Sequence, residues 1–236
     1  MTAPIELLLH SYSLRFALWH DPRFDVFALL DRAVREGFAG VALNVNGPRY
    51  RFLGGDEPAH VARVADAIRE RGLTVDIETS GTAPAHLERL LGLATRLGAR
   101  NLRTYTRHAG PRAEVIAATV ADLRAAAPAA AAAGVDVLLE NHEEFTGVEL
   151  ARVLEAVDHP AVGALYDYGN SMMLHEEPHA ALDAMLPWTR KAHLKDHVVL
   201  ADGRVAGVPL GAGSVPIVEL TRRLAEAGAT RIAFEN

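Results

Sequence analysis

Acidic and imidazole side chains stand near the ends of several short apolar runs in this sequence. Four of these runs carry Glu140, Asp167, His193 and Glu235, in the segments "VDVLLENHE", "VGALYDYGN", "RKAHLKDH" and "TRIAFEN". If the fold brings three carboxylates together without a compensating charge, they repel one another and some take up a proton. A divalent cation removes this conflict. Three carboxylates and one imidazole suit Mn²⁺, Mg²⁺ or Co²⁺ and are compatible with Zn²⁺, so the predicted cofactor is one divalent metal ion, preferably Mn²⁺.

Other polar side chains near the same ends are candidate substrate contacts. They are His10, Glu78, His142, Asn170 and Lys195. Residues two apart share a face of a strand, so His142 can point the same way as Glu140, and Lys195 the same way as His193. For Glu78, a salt bridge to Arg103 on the following strand is an equal alternative.

The elements that must position these residues alternate regularly along the chain. Eight short apolar or alternating runs are typical of β-strands, and segments with apolar residues at helical spacing separate them. Such alternation predicts parallel strands with right-handed crossovers, and eight units predict a closed (β/α)8 TIM barrel whose strand ends converge on one face. A doubly wound open sheet would usually have fewer units and a glycine-rich phosphate turn after the first strand, which "HSYSLR" lacks.

Residues 1–236 contain no linker or shift in composition, which indicates a single barrel domain. Pro128 is expected to kink or divide the alanine-rich helix that ends at Gly134. The segment "VVLADGRVAGVPLGAGSVP" is predicted to be an irregular surface loop.

The helix that should follow strand eight is absent from this sequence. We therefore expect the natural protein to continue beyond Asn236, unless a partner subunit or the N-terminal segment covers that strand.

Composition excludes several kinds of function. The 236 residues carry a net charge of −6, which disfavours a nucleic-acid or anionic-membrane surface and favours a small-molecule partner. The absence of cysteine excludes disulfides, thiolate metal sites and thiol nucleophiles. The N-terminus lacks a signal peptide and no apolar run approaches the roughly 20 residues of a membrane span, so the predicted location is the cytoplasm. The oligomeric state stays open, because apolar residues near strand ends suit either a pocket or a homo-oligomer interface: Trp19, Met172, Met173, Leu174 and Trp188.

The segments "LLENH", "LYDYGN", "HLKD", "PLGAG" and "IAFEN", in this order, resemble the xylose isomerase-like TIM barrel family. That group includes sugar-phosphate isomerases and epimerases, hydroxypyruvate isomerase, inosose dehydratase and, more distantly, endonuclease IV. The resemblance covers nearly the whole chain. It implies that Glu140, Asp167, His193 and Glu235 are the metal ligands, and that Glu140 and Glu235 are also the acid and base.

The resemblance has departures that bear on the reaction. Asn170 occupies a position that many ketose epimerases fill with histidine. Thr146 and Val199 stand where those epimerases carry an acidic residue and an arginine, so a ketohexose 3-epimerase is not favoured.

A metal that chelates a substrate carbonyl and a neighbouring hydroxyl would stabilise an enediolate, and a carboxylate would take the proton. Lys195 would balance the enediolate charge or meet a substrate carboxylate or phosphate, and His142 would orient a hydroxyl or relay a proton. The predicted function is therefore a metal-dependent isomerase or epimerase of a small sugar, keto-sugar or hydroxy-carbonyl compound. The alternatives are a dehydratase on the same site, a DNA-repair enzyme like endonuclease IV, and a non-catalytic sugar-binding barrel. The sequence does not identify the substrate.

Overall fold

Eight parallel strands close into a barrel in the computed structural model, which describes residues 4–235. The barrel strands are β1 (Glu6–His10), β2 (Gly40–Asn44), β3 (Thr74–Glu78), β4 (Asn101–Thr104), β5 (Asp136–Glu140), β6 (Val162–Asp167), β7 (Thr189–Leu194) and, after two strands outside the barrel, β10 (Arg231–Phe234). Neighbours around the barrel follow chain order, and β10 pairs with both β7 and β1. The predicted (β/α)8 barrel is confirmed. Its predicted eighth strand is β10, and Asn236 lies outside the described residues.

Helices follow the strands and cover the outside of the barrel. They are α1 (Arg15–His20), α2 (Val26–Arg35), α3 (Pro58–Glu70), α4 (Pro84–Leu97), α5 (Arg112–Ala133), α6 (Gly147–Val157), α7 (Asn170–Met173), α8 (Pro178–Met185) and α9 (Ile217–Glu226). Short 3₁₀ turns span Ser11–Leu14, Pro48–Tyr50 and Leu186–Trp188. Because the C-terminal ends of all eight strands meet on one face, the loops that lead into these helices surround a common mouth.

The two faces of the barrel strands differ in chemistry. Side chains that face the helices belong to one large apolar core, for example Val41, Ile77 and Leu139. Alternate positions on the same strands point to the barrel interior, where a small apolar cluster of Leu8, Ala42 and Ala233 lies among buried charged residues. Barrel interiors are commonly filled by branched apolar side chains, so this charged filling is a specific feature of the chain.

The alanine-rich helix α5 runs unbroken through Pro128, so the predicted division at that residue does not occur. By length and composition alone, α5 is also apolar enough to cross a membrane. Its buried residues recur at helical spacing, among them Val115, Thr119, Leu123 and Ala130, and the helix packs between α4 and α6. In this fold α5 is therefore an outer helix of the barrel.

The segment predicted to be an irregular loop after β7 contains an antiparallel hairpin. Its strands are β8 (Asp196–Val199) and β9 (Val205–Val208). The glycines in this segment suggested a loop, but all four residues of "DHVV" pair with those of "VAGV" across a tight turn near Gly203. The hairpin stands at the mouth of the barrel. The predicted continuation of the chain beyond Asn236 falls outside the described residues and stays a prediction.

A test of the packing uses two glycines in helices. A Cβ atom on Gly147 would lie 2.6 Å from the carbonyl oxygen of Ala181 in α8, whereas one on Gly92 would meet nothing within 4 Å. We expect Gly147→Ala to destabilise the protein by about 1–3 kcal/mol, because backbone must move. The control Gly92→Ala should stabilise it by about 0.5–1 kcal/mol through helix propensity. Urea unfolding measures both changes, and equal effects would contradict the close contact between α6 and α8.

Candidate metal and catalytic site

The four predicted metal ligands meet at the C-terminal mouth of the barrel. Nδ1 of His193 lies 3.3 Å from Oε1 of Glu140, 3.6 Å from Oδ2 of Asp167 and 2.9 Å from Oε2 of Glu235. One ligand atom from each residue lies within 4.8 Å of the ligand atoms of the other three. The adjacent strands β5, β6, β7 and β10 each deliver one of them, since Glu235 directly follows β10.

Several buried atoms of this cluster have no hydrogen bond of suitable geometry. Within residues 4–235 they include Nδ1 of His193, Oε2 of Glu140, Oδ2 of Asp167 and Oε2 of Glu235. Charged neighbours stand at ion-pair distance from each atom, but at angles that do not form hydrogen bonds. Buried polar atoms are rarely left in this state, and a bound ion is one common explanation. The donor set and its orphaned atoms fit a divalent cation.

Local contacts aim the Asp167 carboxylate at this cluster. Its Oδ1 atom accepts the backbone N–H groups of Gly169 at 2.9 Å and Asn170 at 3.0 Å. The side chain of Asn141 forms two hydrogen bonds with the backbone of Asp167. It accepts from the N–H at 2.6 Å and donates to the carbonyl oxygen at 3.1 Å. Only Oδ2 therefore faces the other ligands. Sequence reasoning missed Asn141, although it directly follows Glu140.

Two cations contact the carboxylates of the predicted ligands. Nζ of Lys195 lies 2.8 Å from Oδ2 of Asp167 and 3.2 Å from Oε2 of Glu235. Nε of Arg103 lies 3.2 Å from Oε2 of Glu140. Burial acts to raise the pKa of Asp167 and of Glu235, but Lys195 and His193 together outweigh it, and both pKa values lie below their ordinary range. The sequence argument considered only a metal ion as the compensating charge, whereas the structure places Lys195 and Arg103 beside these carboxylates.

Arg103 also connects the site to charges deeper in the barrel. Its Nε atom lies 2.6 Å from Oε2 of Glu78, so the predicted ion pair between Glu78 and Arg103 is present. Glu78 in turn contacts Nζ of Lys191, which lies 3.1 Å from Oδ2 of Asp76. Asp76 accepts from Nε of Arg231 at 2.8 Å. The interior beneath the site is thus a continuous set of ion pairs.

A cavity of about 680 Å³ opens above the cluster. Glu140, Asn170, Lys195 and Glu235 line it, together with Arg103 and His197. Tyr12, Trp19 and Phe52 line it as well and contact one another through their rings, with centroids 5.6 to 6.4 Å apart. His142 lines it too and stacks on Tyr105 with centroids 3.9 Å apart. The cavity therefore combines polar groups with an aromatic wall.

The five predicted substrate contacts fall into two groups. His142, Asn170 and Lys195 line the cavity, and Asn170 donates to Oε1 of Glu140 at 3.4 Å. His10 and Glu78 are fully buried and are not among the lining residues. The substrate-binding roles of all five stay predictions. Of the apolar residues that suited a pocket or an interface, Trp19 and Met173 line the cavity.

His10 and His142 have different environments. Nδ1 of His10 accepts the backbone N–H of Tyr12 at 3.0 Å, and its ring meets that of His193 edge to face at 5.2 Å. Burial lowers the pKa of His10 to about 4, so its ring is neutral at physiological pH. Burial also acts to lower the pKa of His142, but the hydrogen bond with Glu144 and the charges of Glu140 and Glu144 together outweigh it, and the pKa lies above the ordinary value.

Asp196, next to Lys195, organises the loop that follows the hairpin. Its buried carboxylate accepts the backbone N–H groups of Gly211 at 2.9 Å, Gly213 at 2.8 Å and Val215 at 3.2 Å. A Cβ atom on Gly213 would collide with this carboxylate. Asp196 of "HLKD" therefore holds the segment "PLGAG" in place through hydrogen bonds. From the sequence alone, "PLGAG" was predicted only to be a turn.

Comparisons with known proteins agree with this architecture. A family model described as "Xylose isomerase-like TIM barrel" matches residues 30–235. The uncharacterized protein YihM of Escherichia coli is 26% identical over 225 residues, which are 93% of this chain and 68% of that protein. The 3-oxo-isoapionate decarboxylase of Pectobacterium atrosepticum is 28% identical over 142 residues, which are 59% of this chain and 50% of the decarboxylase.

Solved structures share the fold at lower identity. A probable 3-DHS dehydratase of Bacillus anthracis has a TM-score of 0.79 and 19% identity, and the match covers 98% of this chain and 93% of the dehydratase. D-psicose 3-epimerase of Clostridium cellulolyticum, solved with D-tagatose, has a TM-score of 0.78 and 16% identity, with coverage of 98% and 84%. A xylose isomerase-like barrel of Mycobacterium smegmatis in complex with magnesium has a TM-score of 0.76 and 21% identity, with coverage of 98% and 90%.

The role of Asp196 can be tested by hydrogen exchange. Asp196→Asn replaces one accepting oxygen by an amide that faces backbone donors, so we expect faster exchange at Gly211 and Gly213 and a loss of about 1–3 kcal/mol. Asp202→Asn, in the exposed turn of the same hairpin, is the control and should change stability by about 0.5 kcal/mol or less. Unchanged exchange at both glycines in Asp196→Asn would rule out the proposed anchoring.

Proposed function

Because the chain belongs to the xylose isomerase-like TIM barrel family, we propose that it is a divalent-metal-dependent isomerase or epimerase. Its substrate would be a small sugar, a keto-sugar or a related hydroxy-carbonyl compound. One observation carries the proposal: three carboxylates and one imidazole, each with a buried atom that lacks a hydrogen bond, converge beneath an open cavity. The proposed partner is a small molecule, with neither nucleic acid nor membrane involved, and a homo-oligomer stays open.

The proposed metal ligands are Glu140, Asp167, His193 and Glu235. Their hard, mixed character favours Mn²⁺ and also admits Mg²⁺, Co²⁺ or Zn²⁺. When bound, such an ion would polarise a substrate carbonyl and an adjacent hydroxyl and so lower the pKa of the neighbouring C–H. A relative of the same fold was solved with magnesium, which supports this class of cofactor.

The chain's own groups supply the proton transfer. Glu140 and Glu235 both line the cavity and are the proposed acid and base. An ionised carboxylate within reach of the substrate takes the proton, and the other, once protonated, returns it. Delivery of a proton to the opposite face of the same carbon gives an epimer. Delivery of a proton to the neighbouring carbon gives an aldose–ketose isomer. Lys195 and Arg103 compensate the negative charge that develops on the substrate.

Dehydration on the same site is the second candidate. Two of the similar proteins are named as a probable 3-DHS dehydratase and a 3-oxo-isoapionate decarboxylase, and both names describe a lyase reaction. The initial proton abstraction is the same, and a β-hydroxyl leaves instead of a proton returning. Of the two positions that depart from the ketohexose epimerase pattern, Thr146 caps α6 and Val199 is exposed on β8.

An enzyme like endonuclease IV is not favoured. In the described part of the chain, the side-chain groups with ligand spacing contain only two imidazoles, those of His10 and His193. A multi-metal nuclease site would need more ligands and a basic surface. The net charge of −6 opposes the latter.

Metal binding can be measured without knowing the substrate. Mn²⁺ at one hundred times its dissociation constant should stabilise the wild type by about 2.7 kcal/mol, seen as a higher melting temperature that EDTA reverses. Asp167→Asn and Glu235→Gln should lose most of this gain. Glu143→Gln, which changes another carboxylate lining the cavity, should keep it. A wild type that gains nothing from Mn²⁺, Mg²⁺, Co²⁺ or Zn²⁺ would refute the metal site.

The chemistry can be measured by proton exchange in D₂O. Incubation of keto-sugars and inososes with the metal-loaded protein should place deuterium at the carbon next to the carbonyl. Glu140→Gln and Glu235→Gln should slow exchange by roughly 10²- to 10⁴-fold, as expected for loss of an acid or base. Glu143→Gln again serves as the control. Elimination products in place of exchanged substrate would favour the dehydratase, and a silent panel with metal bound would count against enolisation.

A further inference from the structure

The fully buried carboxylate of Glu78 lies beneath the proposed metal ligands and contacts three side chains, those of His193, Lys191 and Arg103. Its Oε1 atom lies 3.3 Å from Nε2 of His193 and also contacts Nζ of Lys191. Its Oε2 atom lies 2.6 Å from Nε of Arg103. Glu78 is not among the residues that line the cavity, so its contacts are with the protein.

The two ring nitrogens of His193 face different partners. Nδ1 faces the carboxylates of Glu140, Asp167 and Glu235, while Nε2 faces Glu78. Glu78 lies between Arg103 and Lys191, and a carboxylate paired with cations accepts hydrogen bonds. A His193 ring that binds a metal through Nδ1 has its proton on Nε2, where Glu78 is placed to accept it. Metal-binding imidazoles commonly donate their second N–H to a carboxylate, which orients the ring and raises its basicity.

The other oxygen of Glu78 acts on a second ligand. Nε of Arg103 contacts Glu78 at 2.6 Å and Glu140 at 3.2 Å, and Arg103 also donates to the carbonyl of Thr79 at 2.9 Å. The contacts with Glu78 and with the carbonyl of Thr79 therefore fix the position of the Arg103 guanidinium. Its remaining contact holds the carboxylate of Glu140 near the cluster.

We propose that Glu78 is a positioning residue of the metal site, which accepts the Nε2 proton of His193 and orients Arg103 against Glu140. This proposal rests on the function proposed above. It also assigns a role to Lys191. This residue pairs with the buried Glu78 carboxylate and so offsets the cost of burying it below the ligand cluster.

A purely structural role for Glu78 is the alternative, and the chain offers a matched control for it. Asp76 lies two residues earlier on the same strand and the same face, is also fully buried, and also contacts Lys191. Whereas Glu78 contacts His193, Asp76 contacts Arg231. Asp76→Asn therefore disturbs the same interior charges without removing the acceptor of the His193 proton.

The experiment combines metal titration with NMR of ¹⁵N-histidine-labelled protein. In the wild type we expect a slowly exchanging Nε2 proton on His193, assigned by its loss in His193→Gln, both without metal and with Mg²⁺ or Zn²⁺. In Glu78→Gln this resonance should move upfield because the acceptor is neutral. The affinity for Zn²⁺ should fall about 10- to 100-fold, as for other losses of an outer partner. Asp76→Asn should lower the melting temperature but keep both the resonance and the affinity.

Two results would overturn the proposal. One is a wild-type His193 whose ring proton resides on Nδ1 alone, which is measurable even if Glu78→Gln fails to fold. The other is an equal loss of metal affinity in Asp76→Asn and Glu78→Gln, which would indicate a structural role only. Failure of the wild type to bind any divalent cation would defeat the proposed function, whereas binding through an Nδ1-protonated ring would defeat this inference alone.

Discussion

Charged side chains enclosed inside a barrel must find partners there, and this requirement governs the arrangement beneath the mouth. An isolated buried charge is costly, and removal of one member of a buried ion pair typically destabilises a protein by about 3–5 kcal/mol. The interior contacts alternate in sign and run in the order Arg231, Asp76, Lys191, Glu78, Arg103 and Glu140. Each member depends on the next, so the interior and the mouth form one electrostatic unit.

This dependence orders the proposed site before any ligand enters. The pKa of Glu235 lies well below its ordinary value, so the proton abstraction proposed for this residue does not require prior deprotonation. Backbone N–H groups fix one oxygen of Asp167 and both oxygens of Asp196. Groups that are oriented in advance need little reorganisation during reaction, which is the main source of electrostatic catalysis. The stability of the interior and the geometry of the ligands therefore have a common origin.

The sequence predicted much of this architecture and part of the site. Periodicity indicated eight parallel strands, and the convergence of their ends was enough to bring together the proposed ligands Glu140 and Glu235, which lie 95 positions apart along the chain. The interior pairs were harder, because Lys191 meets Asp76 only when β7 and β3 face each other across the closed barrel. A short local pattern contains no such information. The hairpin after β7 was missed for the opposite reason, since its glycines favoured a turn more strongly than its short strands favoured pairing.

The charge balance of the mouth bears on the case for a bound cation. The interior cations Arg231, Lys191 and Arg103 can be assigned to Asp76, Glu78 and Glu140 in turn. The carboxylates that remain at the mouth are those of Asp167 and Glu235, and Lys195 lies within ion-pair distance of both. One lysine compensates one of these two charges, so a net negative charge is left where buried ligand atoms lack hydrogen bonds. Repulsion among three carboxylates is therefore largely relieved by the protein's own cations. What still favours a bound cation is the remaining negative charge together with the unsatisfied oxygen and nitrogen atoms that surround it.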